Sequence, residues 1–236
     1  MRVAVISDIH GNQTALEATL ADLALQAPVD QVVIAGDLCL NGPCPRQVIE
    51  SVQKLNCPVI QGNVDLEVVN EAPEKGQHKR STVSWTREQI GAEGIKYLAN
   101  LPFSHLVKNP DGSDLLVVHA NPLDLEVAIL PNLPDDELER LLGGLDASIG
   151  ALVFGHLHIA YTRRWRELLL ADVASCGLPR DEDHRAAYGI LSWEDGEWKA
   201  ELRRVEYDVE AVVKQLKNSG IPHLDKRIKI LSEAKY

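Results

Sequence analysis

Five short apolar runs in this chain each end on a residue that can hold a cation or move a proton. Val3-Ala-Val-Ile-Ser7 meets Asp8, Val32-Val-Ile-Ala-Gly36 meets Asp37, and Pro58-Val-Ile-Gln-Gly62 meets Asn63; Leu115-Leu-Val-Val118 meets His119, and Ala151-Leu-Val-Phe-Gly155 meets His156. Near-continuous apolar runs of this length suit strands covered on both faces. Helical patterns separate the early ones. Leu16, Leu20 and Leu23 recur at spacings of four and three after Asn12, whose side-chain oxygen can accept a free amide of the first turn. Pro45 to Leu55 reads as a second helix with its proline near the start. Strand, helix, strand, helix, strand predicts parallel βαβ units and an α/β fold.

The polar segment from about Leu66 to Asn100, with Ser84–Leu98 its clearest helix, offers too few apolar positions for a core of its own. It reads as a helical excursion within one domain spanning residues 1–236, a length that roughly 100–200 residues per domain allows. Leu133–Leu142 is another short helix. After His158 the pattern changes to short strands at Tyr161–Trp165, Leu168–Asp172, Ala187–Trp193 and Trp198–Val205. Glu194-Asp-Gly-Glu197 is a hairpin signal, since Asp-Gly supplies the positive φ angles of a tight turn. Val209 to Ala234 closes the chain as helix, broken near Gly220-Ile-Pro222. The four tryptophans follow no period and read as packing residues.

The net charge is −11 with the charges interspersed, which gives no electrostatic footprint for nucleic acid. A chain this acidic that handled phosphate would need positive charge from a metal. Cys39, Cys44, Cys57 and Cys176 form no CxxC pair and read as reduced thiols; no apolar stretch approaches the roughly 18 residues of a membrane span. The expected location is cytoplasmic, without a membrane partner, and a homo-oligomer is compatible with the sequence.

The full set of polar strand endings is Asp8-Ile-His10, Gly36-Asp37, Gly62-Asn63-Val-Asp65, His119 and Gly155-His156-Leu-His158, which takes four of the eight histidines. In an open α/β sheet the carboxyl ends of the strands form the site. Each motif alone is weak; five in order, at one sheet edge, would crowd buried polar groups that are costly unless paired or metal-bound. Asp8, His10, Asp37, Asn63, His119, His156 and His158 outnumber the three or four protein ligands of a single catalytic zinc, so two ions are expected, with Asp37 placed to bridge them. Imidazole and carboxylate donors without thiolate suit Mn, Fe, Zn, Co or Ni.

In order and spacing these motifs resemble the calcineurin-like metallophosphoesterase superfamily. Gly36-Asp-Leu-Cys-Leu-Asn-Gly-Pro-Cys-Pro45 and Cys176-Gly-Leu-Pro-Arg-Asp-Glu-Asp-His-Arg-Ala-Ala-Tyr188 are similar to its compact bacterial phosphodiesterase-like branch. The resemblance implies a four-layer αββα sandwich with two mixed sheets. It implies that Asp8, His10 and His158 hold one ion, that Asn63, His119 and His156 hold the other, and that Asp37 bridges. It further implies a hydroxide between the ions that attacks phosphorus in line, on phosphodiesters or small organic phosphates. Asp37, Asn63 and His119 are the residues assigned to the chemistry itself.

One position departs from the family pattern. The histidine that follows the family's Asn, placed to protonate the leaving group, is Val64 here. His78 and His184 are candidate replacements. Asn12 at a helix start, Arg180 and Arg185 are candidate contacts for substrate phosphate, Asn12 doubling as a cap; Cys39 is a less secure ligand than the imidazoles. Val64 also supports a competing reading, a metal-retaining or degenerate member of the fold that serves as an interaction scaffold. An amidohydrolase-like hydrolase fits less well, because that group resembles HxH after its first strand, whereas HxH comes late here.

Overall fold

Successive side chains of a strand point to opposite faces, so a strand buried on both must be apolar throughout. The computed structural model, which describes residues 1–70 and 81–235, resolves the runs in this way. β1 (Arg2–Ile6) and β2 (Gln31–Ile34) send Val3, Val5 and Val33 into one core and Ile6 and Ile34 into another behind it. β4 (Asp114–Val118), β5 (Ile149–Phe154) and β7 (Leu168–Asp172) place Leu115, Val117, Ala151, Val153, Leu169 and Ala171 in the first core. Their alternate residues Val118, Leu152, Phe154 and Leu170 enter a third. The first core is thus the seam between two sheets.

One sheet has the order β2-β1-β8-β9, with β8 (Ala186–Glu194) and β9 (Glu197–Val205) added antiparallel to the parallel β1–β2 pair. The other runs β3-β4-β5-β7-β6, its parallel centre flanked by the antiparallel edges β3 (Ser104–Val107) and β6 (Tyr161–Trp165). Helices α1 (Gln13–Ala24), α2 (Pro45–Lys54), α3 (Asn63–Asn70) and α4 (Thr82–Ala99) cover the outer face of the first sheet through Leu16, Val48, Val52, Val68 and Leu98. The amphipathic α5 (Asp135–Leu142) covers the second with Leu138, Leu141 and Leu142. The layering is αββα, as expected. α6 (Val209–Ser219) and α7 (Leu224–Glu233) pack Val212, Leu216 and Leu231 around Trp85 and Leu178.

Two local expectations change, and one strand was not expected. Pro58–Gly62 is no strand but a stub bridged to β2 at Val59–Ile34, because Pro58 lacks an N–H and the Gln61 amide turns away to the Pro102 carbonyl, 2.8 Å distant. The helix around Ser84–Leu98 is broken at Gly91, whose backbone (φ 68°, ψ −175°) is not helical. β3, mixed in polarity, has no clear strand signature and is held by its pairing with β4. The hairpin between β8 and β9 does turn at Asp195 and Gly196, with φ of 57° and 84°. The four cysteines are free thiols, and no described helix is long and apolar enough to cross a membrane.

α1 is tied to the first sheet through one carboxylate. Asp22 accepts from the Tyr188 hydroxyl (2.6 Å) and from the Arg203 guanidinium (2.9 and 3.2 Å). The Arg203 hydrogen bonds, reinforced by Tyr188, hold its carboxyl below the usual range against the opposing effect of burial. A depressed folded pKa stabilises above the unfolded value, about 4, and that stability is lost as pH falls through the folded value. Asp22→Asn should therefore cost about 1 kcal/mol at neutral pH. In denaturant titrations the gap to wild type should close as pH falls below that range; a gap unchanged by acid would refute this account.

Candidate metal centre

The carboxyl ends of β1 and β2 lie in one sheet and those of β4 and β5 in the other, so the site forms where two sheet edges meet rather than along one. Backbone hydrogen bonds stitch the loops together. Asp8 and His10 donate to the Gly36 and Asp37 carbonyls at 3.1 and 2.9 Å, and Gly155 donates to the His119 carbonyl at 3.0 Å. Asp8, His10, Asp37, His156 and His158 all have positive φ, from 49° to 67°. Non-glycine residues seldom adopt that backbone, and its concentration in five neighbouring polar residues marks a site that the surrounding structure over-determines.

Asp8, His10, Asp37 and His158 are buried, with ligand atoms all within 4.8 Å of one another. His158 Nε2 lies 3.0 Å from Asp8 Oδ1 and 3.1 Å from His10 Nε2, and His10 Nε2 lies 3.6 Å from Asp37 Oδ2. The opposite ring nitrogens decide what these contacts are. Nδ1 of His10, His119 and His158 faces the carbonyls of Leu40, Ala35 and Leu178 at 2.9, 2.9 and 2.5 Å. A carbonyl only accepts, so each Nδ1 carries the proton and the neutral ring presents a lone pair at Nε2. Burial pushes His158 down to about 4, which keeps that ring neutral. With Nδ1 protonated and the rings neutral, Nε2 of both is left to ligate, and Asp8 Oδ1 is a buried atom with no hydrogen-bond partner. Such an arrangement is repulsive until a cation enters. The donor set fits one.

A second set adjoins it. His119 Nε2 points at Asn63 Oδ1 (3.0 Å) and Asp37 Oδ1 (3.5 Å), and the His119 and His156 rings meet edge to face at 5.2 Å. His156 has the reverse polarity: Nε2 donates to the Glu126 carbonyl at 2.9 Å, which leaves Nδ1 as its lone pair. One carboxylate responds to this crowding. Burial, with the charge of Asp8 beside it, pushes Asp37 well above the usual range.

Groups behind the ligands fix them. Asp8 Oδ2 accepts from Ser7 Oγ (2.5 Å) and the His156 amide (2.9 Å). Asp65, fully buried, accepts from the amides of Asp37 (2.8 Å), Leu38 (2.9 Å) and Gly62 (3.0 Å), and so holds two of the loops in place. A Cβ on Gly62 would lie 2.1 Å from Asp37 Oδ1, and one on Gly155 would lie 2.2 Å from Asp8 Oδ2. The glycines ahead of Asn63 and His156 are thus required by the carboxylates they pass.

The other sequence candidates fall as follows. Asn12 is buried, with Oδ1 capping α1 at the Ala15 amide (3.1 Å) and Nδ2 donating to the Gly177 carbonyl (2.9 Å). The Arg180 amide donates to the His158 carbonyl at 3.0 Å, which puts its backbone behind that ring. Arg185 grips Asp183 through Nε and Nη2. His184 is exposed ahead of β8, and His78 lies outside the described residues. Cys39 is buried, and burial pushes its thiol well up, as an inert packing group requires. The sequence reading gave no role to Asp65, although it stood inside the third motif, and did not single out Glu126, whose loop carries no motif.

The model of the calcineurin-like phosphoesterase superfamily domain matches residues 1–196. An uncharacterized protein of Methanocaldococcus jannaschii is 29% identical over 240 residues, covering 93% of each chain. A metallophosphoesterase of Sphaerobacter thermophilus superposes with a TM-score of 0.82 at 26% identity, covering 99% of both chains. A hypothetical protein of Pyrococcus horikoshii gives 0.85 at 25% identity, over 100% of this chain and 99% of its own. With its two-sheet fold, its buried Asp/His group and these likenesses, the chain belongs to the calcineurin-like phosphoesterase superfamily.

Proposed function

We propose that this protein is a phosphoesterase that hydrolyses phosphodiesters or small organic phosphates at a centre of two cations sharing Asp37. The observation that carries this reading is the convergence of the buried Asp8, His10, Asp37 and His158 ligand atoms within 4.8 Å of one another, with Nδ1 of both rings backed by a carbonyl. Asp8, His10 and His158 would hold one cation; Asn63, His119 and His156 the other. Nitrogen and oxygen donors without sulfur favour Mn, Fe, Zn, Co or Ni. Such ions supply positive charge for phosphoryl oxygens and a water acidified to a pKa of about 7.

The chain's own residues do the rest. The Leu40, Ala35 and Leu178 carbonyls keep Nδ1 of His10, His119 and His158 protonated and the rings oriented. Asn63 turns Oδ1 toward His119, and its Nδ2, which faces Glu126 Oε2, would meet a phosphate oxygen once substrate displaces that contact. Arg180, whose charge acts on His158, would add a cation for the same anion. Val64 can neither donate nor accept a proton through its side chain; its amide donates to Asp37 Oδ1 at 3.1 Å. Substrates whose leaving groups need no protonation are favoured accordingly.

Purified protein should hold about two transition-metal ions per chain and cleave bis(p-nitrophenyl) phosphate faster than an alkyl phosphomonoester. Comparable rates on the two substrates would remove the argument from Val64. Less than about one metal per chain, with no turnover under any supplement, would select the scaffold reading that Val64 favours. Asp37→Asn should cost at least about 100-fold in turnover with an unchanged circular dichroism spectrum; retained activity would dismiss a shared carboxylate. Asp65→Asn touches no cation, yet should weaken Mn binding about 10–100-fold in calorimetry by releasing the Asp37 and Gly62 amides. Unchanged affinity would confine Asp65 to folding.

A further inference from the structure

The loop from Asn121 to Leu130, between β4 and α5, brings an acidic side chain to the mouth of the site. Asn121 is buried, and its Oδ1 accepts from the amides of Leu123 (2.7 Å) and Asp124 (3.0 Å) while Nδ2 donates to the Val127 carbonyl (2.8 Å). Asp124 Oδ1 then accepts from the amides of Glu126 and Val127, both at 2.8 Å. These bonds fix the Glu126 backbone, whose carbonyl accepts from His156 Nε2 at 2.9 Å. The Glu126 side chain, exposed to solvent, turns to Asn63, so that Nδ2 donates to Oε2 at 3.4 Å.

We infer that the Glu126 carboxylate sets which phosphate esters the site accepts, by standing where a phosphate oxygen would meet Asn63 Nδ2 and repelling dianionic monoesters more than monoanionic diesters. The inference rests on the reading of the site as a phosphoesterase centre and names its substrate class. A carboxylate in water carries a full negative charge, and its repulsion scales with the charge of the incoming anion. A phosphomonoester brings two negative charges at mildly alkaline pH, a diester one. The penalty on the monoester, expressed as a factor in binding, is therefore the square of the penalty on the diester. Exposure limits its size, and salt screens it. This discrimination is independent of Val64, which acts on the leaving group; Glu126 acts on the anion before any bond breaks.

The test compares wild type with Glu126→Gln, which keeps the shape and the His156 contact to the backbone carbonyl but removes the charge. Calorimetry on the Mn-loaded proteins would use methylphosphonate as the dianion and dimethyl phosphate as the monoanion, at mildly alkaline pH. The substitution should tighten methylphosphonate about tenfold and dimethyl phosphate about threefold, with the difference shrinking at about 1 M salt. The ratio of kcat/KM for p-nitrophenyl phosphate over bis(p-nitrophenyl) phosphate should rise in parallel. Equal effects on both anions, no effect, or an effect that ignores salt would overturn the role of Glu126. So would a loss of diester kcat with anion binding unchanged, which would make Glu126 a proton donor instead. If neither anion binds the metal-loaded wild type, the phosphoesterase reading itself fails, a result distinct from the others.

Discussion

Two carboxylates and three imidazoles, buried with their lone pairs turned toward one another, form the interaction on which the rest of this structure depends. Asp8, Asp37, His10, His119 and His158 approach one another to between 3.0 and 3.6 Å, and the carbonyls of Leu40, Ala35 and Leu178 hold a ring proton on the far side of each imidazole. A buried polar group without a partner is expensive, and like charges more so. The fold carries this cost because it assembles a receptor for positive charge inside a chain of net charge −11.

That receptor explains features of the scaffold that otherwise look unrelated. The sheets pack so that the carboxyl ends of β1 and β2 face those of β4 and β5, and the inter-sheet core of small branched residues lets them approach. Left-handed backbone recurs at five of the candidate ligands, Asp8, His10, Asp37, His156 and His158. Asp65 satisfies three amides of two loops at once, so the position of Asp37 depends on a carboxylate that binds nothing itself. Acidity also recurs at the rim, where Glu126 reaches Asn63 from a loop locked by Asn121 and Asp124.

Much of this was legible in the sequence because it is local. Period-two burial on both faces made β1, β2, β4, β5 and β7 readable as unbroken apolar runs, and the cap on α1 was readable from Asn12. The edge strand β3 was not, since Ser104–Val107 carries no strong strand preference and exists through its partner β4. Pro58–Gly62 misled for the opposite reason: an apolar run whose backbone leaves the ladder after a single bridge. The Gly91 break in α4 gave only a lone glycine as warning.

By itself the sequence determined which side chains could serve as ligands and that they follow apolar runs, because residue type and hydrophobic period are properties of neighbours in the chain. Tertiary structure alone decided that the ligands come from two sheets, which nitrogen of each imidazole faces the cavity, and that Glu126 stands beside Asn63. Those outcomes depend on a carbonyl or a loop dozens of residues away, such as Ala35 against His119 or Glu126 against His156, and no local pattern encodes that meeting.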